Sequence, residues 1–168
     1  RFSLNLSTSA RFRSGLALSP DGKWITYVGN CDGSSQLMLQ QTDGSQGTPL
    51  ADTVGARRPF FSPDSQWIGF FSSSDRSLKK TPVNGGLVET LCYHVPFING
   101  GCWCDDGSII TTHELGAGLA RVSDTGGTLE ELTSLDSASG ELYHTFPCAL
   151  PGSRAILYTA ANDITISS

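Results

Sequence analysis

Within one short window the chain carries Cys92, His94, Cys102, Cys104 and His113, side chains that could hold a metal ion. Cys102 and Cys104 would share a face of a strand by its two-residue period. Zinc accepts such thiolates and imidazoles. A C-x-C pair followed by a lone histidine fits no established ligand spacing, however, and no metal or other cofactor is expected. Cys31 and Cys148 bring the cysteines to five. An odd count at irregular spacing does not read as a disulfide framework. The thiols are expected buried or half-buried, with one bridge left open if the domain is exported.

Other chemistries fare no better. The adjacent acids Asp105-Asp106 and Glu130-Glu131 invite a general-acid reading. Neighbours on a strand point to opposite faces, so neither pair converges. His113-Glu114 opens like a metalloprotease H-E-x-x-H, but Ala117 stands at the second histidine. No G-x-S-x-G elbow occurs. Trp24, Trp67 and Trp103 could stack on sugars or bases, yet their repeat positions point to packing. No catalytic residue is expected.

The elements that would position such residues are legible in a repeat. Leu16 to Val28, LALSPDGKWITYV, holds two apolar runs split by Ser19-Pro20-Asp21-Gly22. Pro presets φ for a turn, Asp bonds its own backbone and Gly accepts positive φ. The flanks are β-branched and aromatic, so the unit reads strand, tight turn, strand. It recurs at Ser62-Pro63-Asp64-Ser65, Cys104-Asp105-Asp106-Gly107 and Ala149-Leu150-Pro151-Gly152, in steps of 43, 42 and 45 residues. A second turn series, Gly44, Gly85 and Gly126, steps by 41 and 41. Strands at this period, with no convincing helix, predict an all-β β-propeller of about four blades of four antiparallel strands.

The blades are read at about 14–52, 53–92, 95–133 and 140–168, in one domain over 1–168. Residues 1–6, with Phe2, Leu4 and Leu6 alternating, form a lone strand able to close the last blade. Ile164 to Ile166 would be a third strand of the fourth unit. Four blades lie at the lower limit of closed rings. The favoured arrangement is therefore part of a larger propeller, with self-association through open blade edges. Counting back five residues from the first turn position of each unit gives Ser14, Arg57, Asn99 and His144, with Arg58 and Tyr143 beside them. These should crowd one mouth of the central channel. Arg57, Arg58, Asn99 and His144 are the candidate ligand-binding residues, for an acidic small molecule or peptide end.

At these turns the sequence resembles the TolB-type, WD40-like β-propeller repeats, marked by S-P-D-G before an aromatic strand. Ser19 to Trp24 and Ser62 to Trp67 carry that mark, and the third and fourth units are degenerate. Pro59 to Asp64, Leu78 to Val83 and Gly126-Gly127-Thr128 are further similar to propeller regions that follow the kinase domain of bacterial receptor-type serine/threonine kinases. No kinase motif is present in this chain. The resemblance implies the fold, and a complete structural pattern beside an absent catalytic one points to a non-catalytic module for protein or ligand recognition. The alternative is the propeller domain of a larger enzyme, a prolyl-oligopeptidase-type peptidase or a polysaccharide lyase.

Composition narrows the partners. Net charge is −5, and no basic cluster exceeds Arg57-Arg58 or Lys79-Lys80. That excludes the concentrated positive footprint of nucleic-acid binding. No apolar run is long enough to cross a bilayer. No signal-peptide pattern is visible, which decides little for an excised domain. The compartment is open, with a periplasmic or extracytoplasmic setting favoured.

Overall fold

The repeated turn explains the repeated strand pair. The structure, a computed structural model, describes residues 11–31, 33–44, 46–96 and 99–162. In the first unit the Ser19 hydroxyl donates to Asp21 Oδ1 at 2.6 Å and accepts the Trp24 N–H at 2.8 Å. Asp21 Oδ1 also accepts the Lys23 N–H at 3.0 Å. The second unit repeats this at Ser62, Asp64, Gln66 and Trp67 with distances of 2.5, 2.9 and 3.0 Å. Each turn thus closes a hairpin from its own side chains, independent of the rest of the fold. In the third unit Cys104 replaces the serine, and Asp106 instead accepts from the Ser108 N–H and hydroxyl.

Fourteen strands follow among the described residues, in three four-stranded sheets and one two-stranded sheet. The first sheet is β1 (Arg11–Leu18), β2 (Trp24–Cys31), β3 (Ser34–Gln41) and β4 (Thr48–Pro49). The second is β5 (Ala56–Phe61), β6 (Trp67–Ser72), β7 (Ser77–Pro82) and β8 (Glu89–Tyr93). The third is β9 (Gly101–Trp103), β10 (Ser108–Thr112), β11 (Leu119–Ser123) and β12 (Glu130–Glu131). The fourth holds β13 (Tyr143–Ala149) and β14 (Ile156–Ala161). All described pairings are antiparallel and in chain order. The first strands pack side by side, β1 on β5, β5 on β9 and β9 on β13. Three-residue 3-10 turns at Ser137–Ser139 and Pro151–Ser153 are the helical pieces described. The predicted strand at 1–6 and the one at Ile164 to Ile166 lie outside the described residues.

The core lies between sheets rather than within one. Val28, Leu37 and Leu39 of the first sheet meet Phe61, Ile68 and Phe70 of the second. Phe71, Leu78 and Cys92 of the second meet Trp103, Ile109 and Val122 of the third. Cys104, Ile110 and Leu119 of the third meet Ala149 and Ile156 of the fourth. Trp24 and Trp67 pack partly buried against the first two of these layers, as their repeat positions implied. The end sheets keep exposed apolar side chains, Leu18 at 56% and Leu157 at 63%.

The register of the fourth unit corrects the sequence alignment by one residue. The defining turn bond joins Gly22 N–H to Ser19 O, Ser65 to Ser62, Gly107 to Cys104, and Ser153 to Leu150. The fourth turn therefore starts at Leu150, not Ala149. Ala149, not Cys148, then matches Leu18, Phe61 and Trp103, opposite Ile156, Ile25, Ile68 and Ile109. Cys148 is consequently exposed instead of filling a core position. Burial pushes the Cys92 thiol up to about 11, and burial with the neighbouring Cys104 pushes Cys102 up to about 12. Such thiols hold little thiolate at neutral pH. A disulfide reagent added to the native protein should label Cys148 in a fast phase, lost in Cys148→Ser. An unchanged fast phase in that variant would restore the original register.

Candidate functional site

The corrected register lines up a feature of all four first strands. The residue four before each turn has left-handed backbone: Gly15 (φ 64), Arg58 (φ 47), Gly100 (φ 71) and Phe146 (φ 51). The strand pairing slips at this point in β1, β5 and β13, the mark of a β-bulge. The bulges touch across sheets. A Cβ on Gly15 would lie 3.0 Å from Pro59 Cδ, and one on Gly100 would lie 3.4 Å from Phe146 Cδ1. Glycine therefore serves both conformation and close approach in the first and third sheets. Arg58 and Phe146 occupy the same backbone state with full side chains, at a cost of about 1–2 kcal/mol each.

Those two side chains meet. The Arg58 guanidinium carbon lies 5.2 Å from the Phe146 ring centroid, a cation–π distance. The contact joins the second and fourth sheets. Arg58 is exposed and Phe146 is 50% exposed. Arg57 is half-buried, and one of its guanidinium nitrogens donates to Ala56 O at 3.3 Å. Asn99 is 5% exposed, and its Nδ2 has no hydrogen-bond partner. Its carbonyl accepts the Phe146 N–H at 2.8 Å and the Thr145 hydroxyl at 3.2 Å. Arg58 and Phe146 thus form one contact, to which Asn99 is tied through the Phe146 N–H.

His144 does not belong to it. The position equivalent to Arg57 and Asn99 is Thr145, because the fourth turn starts one residue later. His144 is 1% exposed and lies under Tyr158, ring centroids 4.6 Å apart. Its Nδ1 is 2.7 Å from Thr133 Oγ1 and its Nε2 is 3.0 Å from Glu141 Oε2. Thr133 Oγ1 already accepts the Leu119 N–H at 2.8 Å, so its proton is free to go to Nδ1. The neutral tautomer then carries its proton on Nε2 and donates to Glu141. A hydroxyl–imidazole–carboxylate series invites a nucleophile reading. Here every member is committed, and the ring is sealed from any substrate. The Asp136 N–H, and His144 beside it, hold Glu141 below the usual carboxylate range. The Thr112 hydroxyl donates to the His144 carbonyl at 2.9 Å, which completes a clamp of the fourth sheet on the third.

The remaining candidates stay apart. His94 and His113 are exposed while Cys92 and Cys104 are buried in different layers. Among the described residues no three of His, Cys, Asp or Glu gather as metal ligands. Glu130 pairs with Arg121 at 2.9 Å beside an open groove of about 340 Å³ that also includes Asp106. The Ser108 hydroxyl, then the Ser108 N–H, lowers the Asp106 carboxyl, as suits a turn cap rather than a proton donor.

The sheet arrangement has clear counterparts among solved structures. A TolB-type protein of Agrobacterium tumefaciens superposes with a TM-score of 0.80 at 15% identity, over 96% of this chain and 59% of that one. The chain is a β-propeller in fold. A gluconolactonase of Xanthomonas campestris matches at 0.72 and 15% identity, over 95% of this chain and 58% of that one. Puromycin hydrolase matches at 0.63 and 17% identity, over 82% of this chain and 23% of that one. The chain spans about three-fifths of the first two proteins' length. No protein-family model and no curated protein sequence matches the chain. Among the described residues no helix is long and apolar enough to cross a membrane.

Sequence reasoning missed Phe146, Thr133 and Glu141. One signal could have found the first. Arg58-Pro59 and Phe146-Pro147 open the same P-x-x-x-P spacing, at 59/63 and 147/151, which aligns the fourth unit correctly.

Proposed function

We propose that this propeller is a recognition module that binds acidic ligands, peptide ends included, on its inner wall, without catalysis of its own. The observation that carries this is the exposed Arg58, stacked on Phe146 and preceded in the chain by Arg57. Lys23, Lys79, Lys80 and Arg121 each face a carboxylate. Arg58 faces none among the described residues. Charge-assisted hydrogen bonds to an incoming anion contribute about 1.5–3 kcal/mol each. Citrate and a short acidic peptide, titrated by calorimetry, should bind the native chain and bind Arg57→Ala at least about tenfold more weakly. Equal binding by both proteins, or none to either ligand, would remove the proposal.

The likeness to puromycin hydrolase, of which the chain spans 23%, supports a second reading as the propeller region of a larger enzyme. The segments Pro59 to Asp64 and Leu78 to Val83 support a third setting, beside a receptor-type kinase domain. The neighbouring coding sequence separates these. A hydrolase domain there favours the second and a kinase domain the third.

A further inference from the structure

We infer that Arg58 and Phe146 form a clamp for the carboxylate end of a peptide whose last side chain is apolar. The inference rests on the recognition reading above and names what that wall takes.

Its ground is backbone strain at two residues whose side chains meet in an exposed contact. Five other non-glycine residues have positive φ, and the two at equivalent turn positions show what such strain can accomplish. The Ser65 hydroxyl accepts the Asp21 N–H at 3.1 Å, and the Ser153 hydroxyl accepts the Asp105 N–H at 2.8 Å. Each serine ties its turn to the preceding sheet. Arg58 and Phe146 make no comparable bond through their side chains. Glycine serves at the same place in the first and third sheets, so the fold does not need either side chain. Strained residues that present exposed side chains where glycine would suffice point to a site. What they present is specific. The guanidinium offers a planar fork that matches a carboxylate. The half-exposed ring beside it offers an apolar face. A carboxylate adjoining an apolar side chain is the chemistry of a peptide's C-terminal residue.

The probes are the tripeptide Ala-Ala-Leu and its C-terminal amide, titrated by calorimetry or by NMR. The free acid should bind at least about tenfold more tightly than the amide, the loss expected for one charge-assisted contact. Arg58→Gly and Phe146→Gly should each abolish that preference. Both variants should keep or raise the denaturation midpoint, because glycine relieves the left-handed backbone. Arg154→Ala, an exposed arginine away from the wall, should bind like the native chain. A lowered midpoint in both glycine variants would show the pair to be structural and overturn the clamp. So would a preference for the acid that survives Arg58→Gly. If acid and amide bind alike while citrate still needs Arg57, the clamp fails and recognition at the wall stands. If neither citrate nor the peptides bind, both fall.

Discussion

Phe71→Ala is expected to lower the unfolding free energy by about 3–5 kcal/mol, the range for emptying a large aromatic site in a packed core. Phe71 is fully buried between the second and third sheets with Leu78, Ile109 and Val122. Its ring centroid lies 6.2 Å from that of Phe60. A Cβ on Gly101 would be 3.2 Å from its Cζ, so the third sheet leans directly on it. Phe71 is also the register partner of Arg57. The cavity would therefore open behind the inner wall, where little can collapse to fill it. Trp67, which the sequence placed in this role, should cost less when cut to alanine. It is only partly buried, and Lys80 Nζ covers its ring at 4.4 Å. Chemical denaturation reads both changes. A loss below about 1 kcal/mol for Phe71→Ala would mean that β6 is out of register by one residue, because that slip turns its faces over.

Gly118→Ala should be comparably damaging, at about 3 kcal/mol or more. Gly118 is buried just before β11, and a methyl there would overlap the Thr133 carbonyl. The obstacle is backbone, which cannot rotate away. Leu132 and Thr133 both donate to Leu119 O, at 2.8 and 3.1 Å, so moving Thr133 pulls on the pairing of the outermost strand. It also breaks the 2.7 Å contact with His144. Overpacking costs about 1–3 kcal/mol. A buried polar group left unpaired adds about 1–3 kcal/mol. Denaturation gives the sum, and the imidazole NMR signals report whether the His144 clamp has opened. Native stability together with an unmoved His144 signal would refute the close approach.

What the sequence determined by itself is whatever its own neighbours enforce. Ser19, Asp21 and Gly22 close a hairpin through bonds spanning five residues or fewer, and the two-residue period then assigns faces to the flanking strands. Repetition of that unit, with a second turn series in step, sufficed for a propeller. Tertiary structure alone decided the rest. Each bulge inserts a residue whose place depends on the sheet next to it, as Gly15 against Pro59 and Gly100 against Phe146 show. The turn residues alone did not separate His144 from Thr145 as the equivalent of Arg57, although the proline pair at 147/151 carries that register. His144 and Phe146 would share a face in a regular strand, and the bulge between Thr145 and Cys148 breaks that alternation, so His144 is sealed between sheets while Phe146 is presented to Arg58. That last contact joins positions 58 and 146 from different sheets at 5.2 Å, a pairing 88 residues apart that no local pattern announces.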